Sequence, residues 1–168
     1  MEALVQLKKP FALNKTAQLN LLGTAKGLGT AVVAYSLLGR GMLSGTIKFP
    51  SDFRPTDLRK YLPRFFTENF LNNLETVETI AAFARRKGCA PSQLTLAWLL
   101  KQDESVIPIP GTTSVERLKE NFGALSVSLS DEESAEIRRA VEAAEIARGR
   151  YPESVMADMY ADTPVLAA

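Results

Sequence analysis

Apolar residues follow two patterns along this chain. Three short runs stand apart as strands: Ala3-Leu4-Val5-Gln6-Leu7, Thr30-Ala31-Val32-Val33-Ala34-Tyr35 and Ser105-Val106-Ile107-Pro108-Ile109. The middle run is apolar almost throughout rather than alternating, which predicts parallel strands covered on both faces. Each run precedes a segment whose apolar residues recur at three- and four-residue steps, the spacing of one helix face.

The first such segment runs from about Thr16 to Leu28, with Leu19, Leu22 and Leu28 on one side and Gly29 as its stop. A longer one covers about Phe66 to Lys87, where Phe70, Leu74, Val77, Ala81 and Ala84 share a face and Gly88 follows. Pro91 opens another, since a first-turn residue needs no amide hydrogen, and Leu94, Trp98 and Leu99 carry it to about Gln102. Thr113-Ser114-Val115-Glu116 and Ser130-Asp131-Glu132-Glu133 both have the form of a capping box. The helices they start carry Val115, Leu118, Phe122 and Leu125 in one case, and Ile137, Val141 and Ala144 in the other. Periodicity fades from Arg148, and residues 149–168 read as a C-terminal tail on a single partial domain.

Repeated strand-then-helix units specify an α/β fold with a parallel sheet. About three strands do not close a (β/α)8 barrel, which takes eight strands and roughly 250 residues. Left uncovered, the outer strands would offer unpaired backbone groups and the inward side chains would meet water.

Composition adds exclusions. The 168 residues are 46% apolar and 23% charged, an ordinary globular balance, and the net charge of +1 creates no global field for nucleic acid or anionic membrane. No apolar run reaches the roughly 18 residues of a membrane span, and Met1-Glu2-Ala3 opens nothing like a signal peptide, so the expected address is the cytoplasm. One cysteine, Cys89, excludes an internal disulfide; the absence of histidine removes the commonest metal ligand and general base, and no metal site is expected. Cys89 lies by a helix start that would lower its pKa, against which stands a plain role as a small apolar residue.

Two segments have the chemistry of an anion site. Ser36-Leu37-Leu38-Gly39-Arg40-Gly41 follows the second strand, at the edge where parallel α/β folds bind ligands; its glycines admit close approach and Arg40 supplies a cation. The same residues would also serve a mere tight turn. Ile109-Pro110-Gly111-Thr112-Thr113-Ser114 joins the third strand to a helix start, where free amides and the helix dipole favour negative charge. On that helix Arg117, Glu120, Asn121 and Ala124 form a stripe apart from the apolar one, suited either to a nucleotide or to solvent.

Together these segments resemble the two cofactor-binding stretches of the aldo-keto reductases. Ala34-Tyr35-Ser36-Leu37-Leu38-Gly39-Arg40-Gly41-Met42-Leu43-Ser44-Gly45 is similar to the family's seventh-strand sequence, with Leu37 where proline is usual. Pro108-Ile109-Pro110-Gly111-Thr112 with Arg117, Glu120 and Asn121 is similar to its eighth-strand segment. The likeness runs on through Tyr61-Leu62-Pro63-Arg64-Phe65 and Gly88-Cys89-Ala90-Pro91-Ser92-Gln93, and matches best the branch with pyridoxal reductase-like enzymes.

The resemblance implies the C-terminal, NADP-binding half of a TIM barrel. Tyr35 would stack on the nicotinamide; Ser36, Leu38 and Arg40 would line the pyrophosphate; Thr112 and Arg117 would hold the 2′-phosphate, and Glu120 and Asn121 the adenine. Gly39, Gly111 and Thr113 belong to the same cofactor-binding set. Gln6 matches the glutamine that holds the carboxamide, although Leu7-Lys8-Lys9-Pro10 departs from the family pattern and a polar strand filler is the alternative.

In the family a tyrosine donates the proton, tuned by lysine, aspartate and histidine from earlier strands. Tyr35, Tyr61, Tyr151 and Tyr160 match no such residue, so no catalytic residue is assigned here. The expected partners are NADP(H), a small carbonyl substrate, and a second copy or a complementing barrel half. The competing expectations are a dimerising or cofactor-sensing protein without catalysis, and an isomerase or cyclase that has abandoned the cofactor.

Overall fold

The computed structural model describes residues 21–144 and 151–156. The first expected strand and Gln6 lie outside these residues, as does Leu19.

Helix α1 spans Leu21–Gly27, and the chain turns at Gly29, whose φ of 63° lies in the left-handed region that glycine tolerates. Strand β1, Val32–Ala34, pairs in parallel with β2, Val106–Pro108, in the register Val32 with Val106, Val33 with Ile107 and Ala34 with Pro108. Both strands fall inside the expected runs and are shorter than them, three residues each. The Ile109 amide donates to the Ala34 carbonyl at 3.0 Å, which holds the two strand exits together.

Between the strands lie several short 3-10 turns and two helices. Helix α2, Thr67–Lys87, ends where Gly88 adopts φ 69° and donates its amide to Ala84. Its Phe70, Val77 and Ala84 are buried, and Asn73, on the same buried side, donates to the Arg64 carbonyl at 3.1 Å. Helix α3, Pro91–Leu100, is buried nearly all round; Gln93 accepts from the Ala90 amide at 3.0 Å to cap it.

Helix α4, Val115–Gly123, follows β2, and helix α5, Asp131–Ala143, packs on α2. The box at Ser130 forms as expected: the Ser130 amide donates to Glu133 at 2.8 Å and the Glu133 amide to Ser130 at 3.2 Å. The expected box at Thr113 does not. Ser114 is the cap, accepting from the Arg117 amide at 3.3 Å, because the helix starts one residue later than the Thr113–Glu116 spacing implies. A short helix α6, Glu153–Met156, lies near the C-terminal end.

The core lies among the helices. Phe53, Phe65 and Phe70 meet with ring centroids 5.6–6.3 Å apart, and Trp98 and Leu94 of α3 are 1% exposed. The sheet has one side toward this core, through Val106 and Ala34, and an open side bearing Val33 and Ile107, 57% and 49% exposed. The expected covering of both faces is therefore not present among the described residues. Side chains alternate along a strand, so whatever covers one face says nothing of the other. No helix among the described residues is long and apolar enough to cross a membrane.

Candidate functional site

β1 and β2 release the chain side by side, so the segments beginning at Tyr35 and Ile109 face each other across a cleft of about 620 Å³. Ser36, Leu38 and Arg40 line it from one side; Gly111, Thr112, Thr113, Arg117, Glu120 and Asn121 line it from the other. Two stretches more than sixty residues apart in sequence thus share one concavity because their strands are hydrogen-bonded neighbours. Tyr35 and Gly39 are not among the lining residues: Tyr35 is 41% exposed beside the open face of the sheet, and Gly39 is buried within the turn.

The first wall is a tightly wound backbone. Ser36, Gly39, Arg40 and Gly41 have φ of 55°, 57°, 56° and 92°. Serine and arginine pay a steric penalty there, on the order of 1 kcal/mol each, and such strain persists only where surrounding contacts fix it. Those contacts are visible. The Gly39 amide donates to Ser36 at 3.1 Å and the Gly41 amide to Leu38 at 3.0 Å. Leu37, Met42 and Leu43 are buried anchors, and the Arg40 carbonyl accepts from Arg59 Nη1 at 2.9 Å. Tight turn and cleft wall are the same structure, so these two readings do not exclude each other.

Arg59 also lines the cleft, and nothing in the linear pattern marks it. Its guanidinium lies 4.9 Å from the Phe53 ring centroid and bonds Asp57 through Nε and Nη2, at 2.9 and 2.6 Å. That arginine holds the Asp57 carboxyl below the usual carboxylate range. The pair leaves Arg59 with little net charge to offer a ligand; its evident work is to hold the Arg40 turn.

The second wall is α4 and the loop before it. Thr112 Oγ1 accepts from the Ser114 amide at 3.1 Å, and the Ser114 hydroxyl donates to Glu116 at 2.7 Å, both pinning the helix start at the cleft. The stripe of Arg117, Glu120, Asn121 and Ala124 turns inward at its far end: Asn121 and Ala124 are 8% and 2% exposed, Glu120 is half-buried and Arg117 stays exposed. Val115, Leu118, Phe122 and Leu125, expected to pack inward, are 45–69% exposed. On this side α4 packs on α3, with Gly123 close to the Gln93 side chain. The Ser92 hydroxyl, 1% exposed as a residue, donates to the Glu120 carboxylate and fixes it on the cleft wall. Ser92 is a second lining residue that no linear signal reveals.

Cys89 is partly buried against the core, and burial raises its thiol pKa, against the lowering expected from a helix start. Desolvation outweighs the opposing charge of Lys87, and the side chain packs as a small apolar residue.

Fold and cleft together define a parallel α/β protein with a concave, cation-bearing site at the carboxyl ends of its strands. The model of the Aldo/keto reductase family matches residues 3–142, and the chain belongs to that family. It is 42% identical over 156 residues to the aldo-keto reductase yakc [NADP(+)] of Schizosaccharomyces pombe, covering 92% of this chain and 46% of that protein. It is 41% identical over 158 residues to the aldo-keto reductase str7 of Strobilurus tenacellus, covering 94% and 46%. Among solved structures, the glycerol dehydrogenase AKR11B4 of Gluconobacter oxydans superposes with a TM-score of 0.67 at 25% identity, over 77% of this chain and 39% of that one. The chain thus spans about half the length of the curated relatives it matches.

Proposed function

We propose that this chain carries the NADP(H)-binding part of an aldo-keto reductase barrel, β1 and β2 corresponding to the last two strands of that barrel. The observation that carries the reading is the shared cleft: both segments resembling the family's cofactor-binding stretches line one concavity of about 620 Å³, a size that suits a cofactor.

The residues present fit an anionic dinucleotide. Arg117 stands in the first turn of α4, on the cleft wall; it would hold the 2′-phosphate with Thr112. Arg40, Ser36 and Leu38, with Gly39 and Gly41 keeping the main chain compact, would line the pyrophosphate. The Glu120 carboxylate, fixed by Ser92, and the nearly buried Asn121 would meet the adenine. Gly111 and Thr113 complete that wall, and Tyr35 would lie against the nicotinamide. When bound, the reduced cofactor supplies a hydride for reduction of a small carbonyl substrate. Proton donation needs an acid that resemblance assigns to earlier barrel strands, not to any of these 168 residues; the function proposed for them is binding and orientation.

The similarity to a relative named with NADP(+) supports the cofactor over NAD. NADPH titration by calorimetry on the purified chain, with its mass measured by light scattering in the same buffer, tests the reading. Saturable one-site binding is expected; a well-folded chain that binds no NADPH overturns it. A second reading, an interaction protein that dimerises or senses the cofactor, draws on the exposed Val33, Ile107 and Ile109 of the sheet. A concentration-dependent mass without NADPH binding would favour it.

A further inference from the structure

Arg40 reaches the cleft from a turn of unusual backbone, and its side chain is met by a residue from the far end of the chain. Its Nη2 donates to the Tyr151 hydroxyl at 3.0 Å, and its guanidinium carbon lies 5.4 Å from the centroid of the Tyr151 ring. The two residues are 111 positions apart. Tyr151 is half-buried, packs against the helical core, and is not among the residues lining the cleft.

We propose that Tyr151 is a positioning residue for Arg40: it steers the guanidinium against the cleft wall so that it meets a diphosphate. This rests on the NADP(H) reading above. The physical case has three parts. An arginine side chain has about 2 kcal/mol of rotamer entropy to lose, so an arginine fixed before the ligand arrives binds phosphate more tightly than a free one. Backbone alone fixes only the start of the side chain. Arg40 is held at its carbonyl by Arg59, and the Tyr151 contact acts at the other end, on the guanidinium itself. Finally, a phenol is a neutral acceptor, so this contact orients the guanidinium without taking charge from it, unlike the Asp57 carboxylate on Arg59.

The contact also gives a function to a residue in a stretch that reads as an aperiodic tail. Packing of the ring on the core anchors the hydroxyl, so the tail segment acts on the site through Arg40 and without touching the ligand.

The test is a double-mutant cycle of NADPH affinity by calorimetry on the full chain, with Tyr151→Phe, Arg40→Ala and the pair. Tyr151→Phe keeps the ring, its core packing and the cation–π contact, so the fold is expected to survive; thermal unfolding of each variant checks this. Tyr151→Phe is expected to weaken NADPH binding roughly three- to tenfold, the worth of one ordinary hydrogen bond, and to do nothing further once Arg40 is alanine. Adenosine 2′-monophosphate, which lacks the diphosphate, is expected to bind equally to wild type and Tyr151→Phe. If wild type binds NADPH and Tyr151→Phe binds as well, or loses the same factor in the Arg40→Ala background, the positioning role is wrong while the cofactor reading stands. If wild type binds no NADPH, the cofactor reading falls and takes this role with it.

Discussion

Val33 and Ile107 are register partners in the parallel pair, and their side chains stand together on the side of the sheet away from the helical core, each about half exposed. Two β-branched residues side by side on an open face, with Ile109 52% exposed just beyond the end of β2, make an apolar patch that a soluble dye can report. Replacing both with threonine preserves strand preference and removes apolar surface. The Val33→Thr, Ile107→Thr double variant is expected to lower ANS fluorescence clearly, with unchanged far-ultraviolet circular dichroism. Equal fluorescence would mean that the face is covered in solution.

Arg117 is expected to decide between cofactors. Arg117→Ala removes a charged, two-pronged donor from the first turn of α4, where the 2′-phosphate is proposed to lie. NADP binding should weaken roughly tenfold or more, from the loss of hydrogen bonds between charged groups, and NAD binding far less. Equal losses by calorimetry would sink the assignment.

Gly123 and Gln93 are coupled. A Cβ on Gly123 would run into the Gln93 side-chain amide, whose oxygen caps the Ala90 amide at the start of α3. Gly123 has right-handed helical φ and ψ of −59° and −17°, so alanine there gains about 1 kcal/mol of helix preference. Displacing Gln93 loses a cap worth about the same. Gly123→Ala alone should therefore change stability by less than about 0.5 kcal/mol in urea unfolding, but should stabilise by about 1 kcal/mol in a Gln93→Ala background. Equal effects in both backgrounds would exclude the clash.

Asp103 sets an acid limit on stability. It pairs with Lys26 of α1 at 2.8 Å and accepts from the Ser105 amide and hydroxyl at 3.0 and 2.8 Å, and these bonds, the lysine first, draw its pKa down to about 2. A depressed carboxyl pKa stabilises the fold fully above the ordinary value near 3.8, and this contribution fades as pH falls from there toward 2. Asp103→Asn should lower stability at neutral pH and flatten its decline between about pH 4 and 2. A wild-type acid limb as steep as the variant's would show that Asp103 contributes nothing there.

The helices were legible because their signals are local. Gly88 ends α2, Pro91 opens α3 and the Ser130–Glu133 box starts α5, each where short-range geometry requires it. The cleft was legible in part: Ser36, Leu38, Arg40, Thr112 and Arg117 line it from strand-exit or helix-start segments marked by glycine, hydroxyl and cation, and Glu120 and Asn121 line it from further along α4. Arg59 and Ser92 were not, since one sits among short turns and the other in a helix start that resembles any other.

The sequence by itself determined where the described helices and strands lie and which two segments could hold an anion, because propensity, capping and turn chemistry act over a few residues. Tertiary structure decided which stripe of α4 faces inward, that Tyr151 reaches Arg40, and that Ser92 meets Glu120. Periodicity says that a helix has two faces; only the shape and polarity of the neighbour that packs against it selects one. Here the Ser92 hydroxyl of α3 meets Glu120 of α4, and Asn121 is buried while Phe122 and Leu125 stay outside.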